Sequence, residues 1–307
     1  MDTPLIVTVP NASVRATLGE LPSNVEVVEW DMSGPAPLAR ADMVIPPYLQ
    51  SHEDLKNLEG LDVTLVQGLS LGYDGVADVL PAHMTFANAA SVHETSTAEM
   101  TLALILASQR AIPEFVRAAQ AGTWSPSWHQ SLADRTVLLV GYGGVGRAIE
   151  SRLVPFETTV VRLAHHERND DSGRVYGRES LFELLPFADI VVVAVPLDEH
   201  THHLVDADFL ARMPDGGLLV NVSRGAVADT SALLAEAQSG RLRLALDVTD
   251  PEPLPDGHPL FALENVLISP HVGGMSSAAI PRIARLVHQQ IERMQRGEEP
   301  LNVVLRT

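Results

Sequence analysis

The stretch "VLLVGYGGVGRAIE" (residues 137–150) decides how the chain is read. An unbroken apolar run ends at Val140. Gly141, Gly143 and Gly146 then follow in the spacing Gly-x-Gly-x-x-Gly, and a helical pattern begins. That order suits a strand–turn–helix unit holding the phosphates of a dinucleotide. Gly141 permits a tight turn, Gly143 lets backbone approach a pyrophosphate, and Gly146 lets helix and strand pack closely. The N–H groups that open the helix, around Gly144 and Val145, add donors and positive potential. The alternative is a tight strand–helix turn with no ligand.

Working outward, the array goes on with strand-like runs at 158–164, 189–196, 217–223, 243–248 and 266–271. Helical patterns at 145–155, 179–187, 206–213 and 230–239 separate them. A first array precedes it: strands at 4–10, 25–30, 42–46, 63–68 and 84–89, with a helix at 12–22. The Val/Ile/Leu runs are continuous rather than alternating, as in parallel strands covered on both faces. The fold class is therefore α/β, with two doubly wound parallel sheets. Long helical stretches at 94–110 and 276–297 read as two crossings, so the second array is inserted into the first. A short strand-like "LNVVL" closes the chain. Clefts between such domains are usual ligand sites. The stretch 121–135 is loop-like, and its Trp-containing segment 121–130, with Trp124 and Trp128, belongs either to a subunit interface or to a substrate pocket.

Composition narrows the function classes. The 307 residues suffice for two domains, and 46% are apolar. No run approaches the roughly 20 apolar residues needed to span a bilayer. The N-terminal "MDTPLIVTVPNAS" has no basic region and reads directly into a strand, so a signal peptide is not expected. There is no cysteine, which excludes disulfides and thiolate chemistry and suits the cytoplasm. The net charge of −18 argues against nucleic acid or an anionic membrane as partner. Residues 1–93 carry twelve Asp/Glu against three Lys/Arg, so a small anion must be held by local arginines and backbone N–H groups. Lys56 is the sole lysine and sits in a charged helical stretch, which disfavours Schiff-base chemistry.

Three ionisable residues fall at or just past strand ends, where open α/β sheets bind ligands. "LLVNVSRG" delivers Arg224, "LALDVTDPEPLP" delivers Glu252, and "VLISPHVGG" delivers His271. An arginine can grip a carboxylate through two parallel hydrogen bonds. A histidine exchanges protons near neutral pH, and a neighbouring carboxylate orients it and favours its charged form. Taken singly, each has a plainer reading: a surface arginine, a solvated acid, a satisfied core histidine. All three share the rim of the glycine turn.

The ordered set of the glycine turn, "NVSRGAVADTSAL", "ALDVTDPEPLP" and "NVLISPHVGG" resembles the D-isomer-specific 2-hydroxyacid dehydrogenase family, glyoxylate/hydroxypyruvate reductase-like members in particular. "QGLSLGYDGV" (67–76) resembles its substrate-carboxylate loop and "TAEMTLALILASQR" (97–110) its interdomain helix. The resemblance implies a Rossmann cofactor domain (94–279) inserted into a flavodoxin-like substrate domain (1–93 and 280–307). It implies that Arg224 binds the substrate's carboxylate and 2-oxo oxygen. His271 is then the general acid in reduction, and Glu252 keeps it protonated. Backbone at Ser70, Leu71 and Gly72 binds the carboxylate. Asp247 faces the nicotinamide carboxamide, and Thr97, Pro196, Val222 and Gly273 are further cofactor contacts. It also implies a homodimer formed through the cofactor domain. Formate dehydrogenases of the superfamily place Gln where Glu252 stands. A nicotinamide-sensing corepressor-like protein with little turnover is the alternative. A periplasmic-type binding protein would lack the His271–Glu252 pair.

About twenty residues after the glycine turn, "VVRLAHHERND" (160–170) lacks the acid that usually binds the adenosine ribose. Laid over the family pattern, Ala164 takes its place. Arg162, His165, His166 and Arg168 are donors for a 2′-phosphate, so NADP(H) is expected ahead of NAD(H). The alternative is a solvated arginine-rich loop that uses NAD(H). The histidine pairs 165–166 and 202–203 lack a metal-ligand spacing, and no metal is expected. Small 2-oxo acids, glyoxylate and hydroxypyruvate first, are the expected substrates, with Leu71, Tyr73 and parts of 121–130 lining the pocket.

Overall fold

The structure is a computed structural model that describes residues 4–48 and 52–307. Two compact units are present: 1–93 with 275–307, and 94–274. The second junction lies at 274/275, a few residues ahead of the expected 279/280.

The first unit holds a six-stranded sheet in the order Val303–Arg306, Thr85–Ala87, Asp62–Gln67, Arg40–Val44, Leu5–Val9, Val25–Glu29. All pairings are parallel except that of the final strand, which runs antiparallel to Thr85–Ala87. The five parallel strands follow the flavodoxin-like order 2-1-3-4-5. Both faces are covered, which explains the continuous apolar runs. Val7, Val9, Met43 and Leu65 pack with Val287 and Ile291 of helix Ala279–Gln295. Trp30, Val44, Leu58, Val66 and Phe86 form the opposite layer.

One polar device crosses this core. Gln290, fully buried, donates to Gln67 Oε1 (2.7 Å) and to Leu301 O (3.0 Å). Gln67 Nε2 donates in turn to Gly68 O (2.8 Å) and Asn88 O (3.0 Å). Buried amides persist where every polar atom finds a partner. Here they fix the ends of the strands that lead into residues 68–72. Lys56 forms an exposed pair with Glu53, in line with a solvated role.

The second unit has a six-stranded parallel sheet in the order Val266–Ile268, Arg243–Leu246, Leu218–Asn221, Ile190–Val193, Thr136–Val140, Thr159–Leu163. A single parallel bridge, Leu163 with Tyr176, extends it beyond Thr159–Leu163. With that bridge as a vestigial third strand, the order is the Rossmann 3-2-1-4-5-6 with one strand added. The Rossmann-in-flavodoxin-like reading of the sequence holds. Val137, Leu139, Val192 and Val220 face a core that includes Ala98, Leu102 and Ile105 of helix Glu94–Gln109. Leu138, Val191, Val193 and Leu219 face the other.

Two elements differ from the sequence reading. Residues 112–120 form a helix, Ile112–Gln120, with no buried residue. The helix is amphipathic, but Ile112 and Val116 on its apolar side are exposed and cover no core inside the unit. Arg168–Asp170 pairs with Gly173–Val175 in a small antiparallel hairpin, so this arginine-rich stretch is not a free loop.

Candidate active site

The glycine turn is built as its spacing implies. Gly141 has φ of 107°, and a Cβ there would lie 2.3 Å from the Ala194 carbonyl oxygen. A Cβ on Gly146 would lie 2.3 Å from the Gly141 carbonyl oxygen. Both positions therefore exclude a side chain for packing reasons. Gly143 is different: a Cβ there meets nothing within 4 Å. Its backbone faces open space at the start of helix Gly144–Leu153. Tight packing on two sides and an open face on the third fit a pyrophosphate at a helix N-terminus. The turn lies between Thr136–Val140 and Ile190–Val193, the point where strand order reverses.

Glu252 and His271 meet at the same edge. His271 Nδ1 lies 2.5 Å from Glu252 Oε1. The carboxylate only accepts, so Nδ1 donates and Nε2 is left to exchange a proton. His271 has φ of 53°, in the left-handed region, and its N–H is held by Asp247 O (2.7 Å) and Ser269 O (3.0 Å). A non-glycine residue in this region costs about 1–3 kcal/mol and points to a functional constraint.

Asp247 organises this loop. Its Oδ1 accepts from Ser269 Oγ (2.5 Å) and Val272 N (3.1 Å), and its Oδ2 from Gly273 N (2.8 Å). A Cβ on Gly273 would lie 2.7 Å from Asp247 Oδ2 and 3.6 Å from Thr97 Cγ2, so these three residues form one tight contact. The sequence reading had no signal for this bracing role of Asp247.

Arg224 follows strand Leu218–Asn221, where Asn221 Nδ2 donates to its carbonyl (3.0 Å). Its Nη1 donates to Ser223 O (2.8 Å). A Cβ on Gly225 would lie 1.8 Å from Thr249 O, so the arginine's turn packs directly on the segment leading to Glu252. Val222 continues the strand by donating to Val193 O (3.1 Å), and Pro196 O accepts from Thr201 Oγ1 (2.6 Å).

The adenosine edge brings one correction. Arg162 does not present its charge outward. Its Nε donates to Glu150 Oε1 (2.6 Å), its Nη2 bonds the same oxygen, and its Nη1 donates to Ser172 O. That hydrogen bond to Glu150 raises the guanidinium's pKa. Arg162 is charged but committed to Glu150 and Ser172 rather than free to serve as a 2′-phosphate donor. Arg168 stays at the glycine turn, with Nη2 donating to Tyr142 O (2.8 Å). Arg147, in the first turns of the helix, lies 5.9 Å from the Tyr142 ring centre and had not been singled out. His165 contacts His166 (4.3 Å between ring centres) and His200 (6.1 Å). Among the described residues no group of side chains could hold a metal ion.

In the first unit, Ser70, Leu71 and Gly72 follow strand Asp62–Gln67, and Tyr73 is partly buried against the core cluster that includes Trp30. In the second unit, Trp128, His129 and Gln130 line a cavity of about 590 Å³ with Arg135 and Arg243. Arg243 begins its strand and Arg135 precedes Thr136–Val140. The cavity therefore lies at the sheet edge opposite the glycine turn, which removes this segment from the unit's own cofactor edge. Trp124 and Trp128 are 94% and 101% exposed.

With this geometry in place, comparison with known proteins is decisive. The family model for the D-isomer specific 2-hydroxyacid dehydrogenase, NAD binding domain, matches residues 102–273. The chain belongs to that family. The enzyme is 33% identical over 253 residues to a glyoxylate reductase from Korarchaeum cryptofilum, covering 78% of this chain and 75% of the relative. It is 29% identical over 294 residues to the human glyoxylate reductase/hydroxypyruvate reductase, covering 90% of each. The crystal structure of a D-isomer specific 2-hydroxyacid dehydrogenase from Xanthobacter autotrophicus Py2, in complex with NADPH and MES, superposes with a TM-score of 0.84. Identity is 27%, over 99% of this chain and 98% of that one. The dehydrogenase is thus a nicotinamide-dependent 2-hydroxyacid oxidoreductase. No helix among the described residues is long and apolar enough to cross a membrane.

Proposed function

We propose that the enzyme reduces a small 2-oxo acid, glyoxylate or hydroxypyruvate, with NADP(H) ahead of NAD(H). The observation that carries the reading is the 2.5 Å contact between His271 Nδ1 and Glu252 Oε1. It leaves Nε2 free to exchange a proton at the carboxyl edge of the sheet. The names of the relatives, glyoxylate reductase and glyoxylate reductase/hydroxypyruvate reductase, support the substrate class.

In this reading Gly141, Gly143, Gly144, Val145 and Gly146 hold the pyrophosphate, and Thr97, Pro196, Val222, Asp247 and Gly273 hold the nicotinamide end. When bound, the nicotinamide supplies the hydride to the 2-oxo carbon. Arg224 binds the substrate's carboxylate and 2-oxo oxygen and meets the charge that develops on that oxygen. His271 donates a proton to it from Nε2. Glu252 holds Nδ1–H, so Nε2 is the nitrogen that carries the proton in the imidazolium and is left with a lone pair once the proton is given up. Ser70, Leu71 and Gly72 offer N–H groups to the carboxylate.

The cofactor preference is supported by Ala164, which carries no charge to repel a 2′-phosphate, and by Arg168, Arg147 and His165 beside the turn. The reading includes a homodimer, supported by the exposed Trp124, Trp128, Ile112 and Val116 on one segment of the cofactor unit. It also includes the cytoplasm, which suits a chain without cysteine.

Steady-state reduction of glyoxylate and hydroxypyruvate with NADPH and NADH tests it. The expected result is kcat/KM at least tenfold higher with NADPH, about 1.4 kcal/mol of transition-state binding. Equal use of the two cofactors would reject the phosphate site and leave the substrate reading intact. Tight cofactor binding without turnover of either acid would favour the corepressor-like alternative.

A further inference from the structure

Among the described residues, the backbone of residues 69–72 is held through its carbonyl oxygens. Leu69 O accepts from His93 Nε2 at 2.7 Å. Ser70 O accepts from Ala89 N at 2.8 Å. Leu71 O accepts from Asn88 Nδ2 at 2.8 Å. Gly72 O accepts from Ser70 Oγ at 2.7 Å. Three of these four donors come from one stretch, residues 88–93. In a trans peptide the N–H points opposite to the carbonyl of the same plane. Anchoring the carbonyls of Leu69, Ser70 and Leu71 on the 88–93 side therefore turns the N–H groups of Ser70, Leu71 and Gly72 to the other side. Among the described residues those three N–H groups have no acceptor. Successive N–H groups presented from one backbone face form a concavity for an anion.

The anchoring side chains are themselves fixed. His93 is 4% exposed and stacks on Tyr48, with ring centres 5.9 Å apart. A carbonyl only accepts, so His93 Nε2 carries its hydrogen whether the ring is neutral or charged. Asn88 is buried as well, and its Oδ1 accepts from Ala90 N at 3.2 Å, which sets the amide so that Nδ2 faces Leu71. Gln67 and Asn302 secure the same stretch, through Asn88 O (3.0 Å) and Ala90 O (2.9 Å).

We propose that His93 and Asn88 are positioning residues that aim the N–H groups of Ser70, Leu71 and Gly72 at the substrate's carboxylate. The inference rests on the reading of the enzyme as a 2-oxo acid reductase. It adds that carboxylate affinity is governed from behind the loop, by two side chains that do not touch substrate.

The test compares His93→Leu, His93→Gln and Asn88→Asp with the wild type. Leucine removes the donor, glutamine restores an N–H near the Nε2 position, and aspartate sets an acceptor against the Leu71 carbonyl. His93→Leu and Asn88→Asp are expected to raise KM for the 2-oxo acid tenfold or more, with kcat changed less than threefold. They should weaken oxamate binding to the enzyme–NADPH complex by the same factor, read by calorimetry. NADPH affinity should stay within twofold, and His93→Gln should return KM to within about twofold of wild type. A merely structural role predicts a lower Tm with KM unchanged. Wild-type KM in His93→Leu, or a KM defect that His93→Gln does not repair, would overturn the proposal. A wild-type enzyme that neither turns over 2-oxo acids nor binds oxamate would overturn the substrate reading, and the proposal with it.

Discussion

Glu150 and Arg162 form an ion pair across the glycine-turn helix and the strand after it, with side chains only 9% and 16% exposed. Tyr142, inside the glycine turn, donates its hydroxyl to the other oxygen of Glu150. The guanidinium groups of Arg147, Arg162 and Arg168 lie 5.6–5.9 Å from the Tyr142 ring centre. The turn and the adenosine edge are thus one electrostatic unit. Glu150 is committed to Arg162 and Tyr142, and Asp170, held by Ser172 N, adds a second negative charge that acts on both.

This arrangement separates two arginines that look equivalent in sequence. Arg162→Met leaves Glu150 buried without its cation, and removing one partner of a buried pair costs about 3 kcal/mol or more. The expected result is a Tm several degrees lower with the NADPH/NADH preference retained. Arg168→Met should leave Tm nearly unchanged and raise KM for NADPH about tenfold, with KM for NADH constant. Thermal melts and cofactor titrations of both variants check the assignment, and an exchange of these two phenotypes would refute it.

Tyr142 gives the fold a defined alkaline response. Burial first, and the hydrogen bond to Glu150 second, hold its phenol above the ordinary value. The folded state therefore keeps this proton after the unfolded chain, with its phenol near pH 10, has begun to lose it. The stabilisation is present below about pH 10 and is lost as pH rises through the folded value. Tyr142→Phe keeps the ring and removes the proton. Its Tm should fall less steeply above pH 10 than that of the wild type, and equal slopes would show that the phenol is not the group responsible.

The strands and the glycine turn were legible because each is a local pattern. Unbroken Val/Ile/Leu runs mark strands covered on both faces, and three glycines after one of them mark the turn. His271 and Glu252 were legible because both follow strand ends, and ends of parallel strands share an edge. Arg162 was misread because its partner, Glu150, lies twelve positions earlier on a helix, and no local pattern reports a pairing across elements. The bracing by Asp247 was illegible for the same reason, since it depends on where residues 269–273 fold back. Helix Ile112–Gln120 carries an amphipathic period that was legible but was not read, since it is short and stands between the long helical stretch 94–110 and a loop.

The glycines of the turn make separable predictions. At Gly141 an added methyl meets the Ala194 carbonyl and φ is positive, so Gly141→Ala should lower Tm markedly. At Gly143 the methyl enters open space and φ is −95°, so Gly143→Ala should keep the wild-type Tm. The same methyl would occupy the approach of the pyrophosphate, and NADPH affinity should fall tenfold or more. A Gly143→Ala variant with wild-type NADPH affinity would remove the turn as the phosphate site.

Trp124 and Trp128 project from a segment that no core of their unit covers. In the proposed homodimer these side chains belong to the interface. With the double variant Trp124→Ser/Trp128→Ser, sedimentation should show a shift from dimer toward monomer while each subunit keeps its Tm in dilute solution. A wild-type enzyme that sediments as a monomer at micromolar concentration would reject the interface.

The His271–Glu252 contact predicts non-additive losses. His271→Gln removes the proton donor, and loss of a general acid typically costs about 10²–10⁴-fold in rate. Glu252→Gln keeps an acceptor for Nδ1–H but removes the carboxylate charge beside the ring, so kcat for reduction should fall about 10²-fold with NADPH affinity unchanged. If the carboxylate acts only through the imidazole, it has nothing left to act on once His271 is replaced. The double variant should then be no slower than His271→Gln alone, as for residues that work as a unit. Losses that multiply in the double variant would mean that Glu252 serves the reaction by a second route, and the pair would no longer describe the acid of this site.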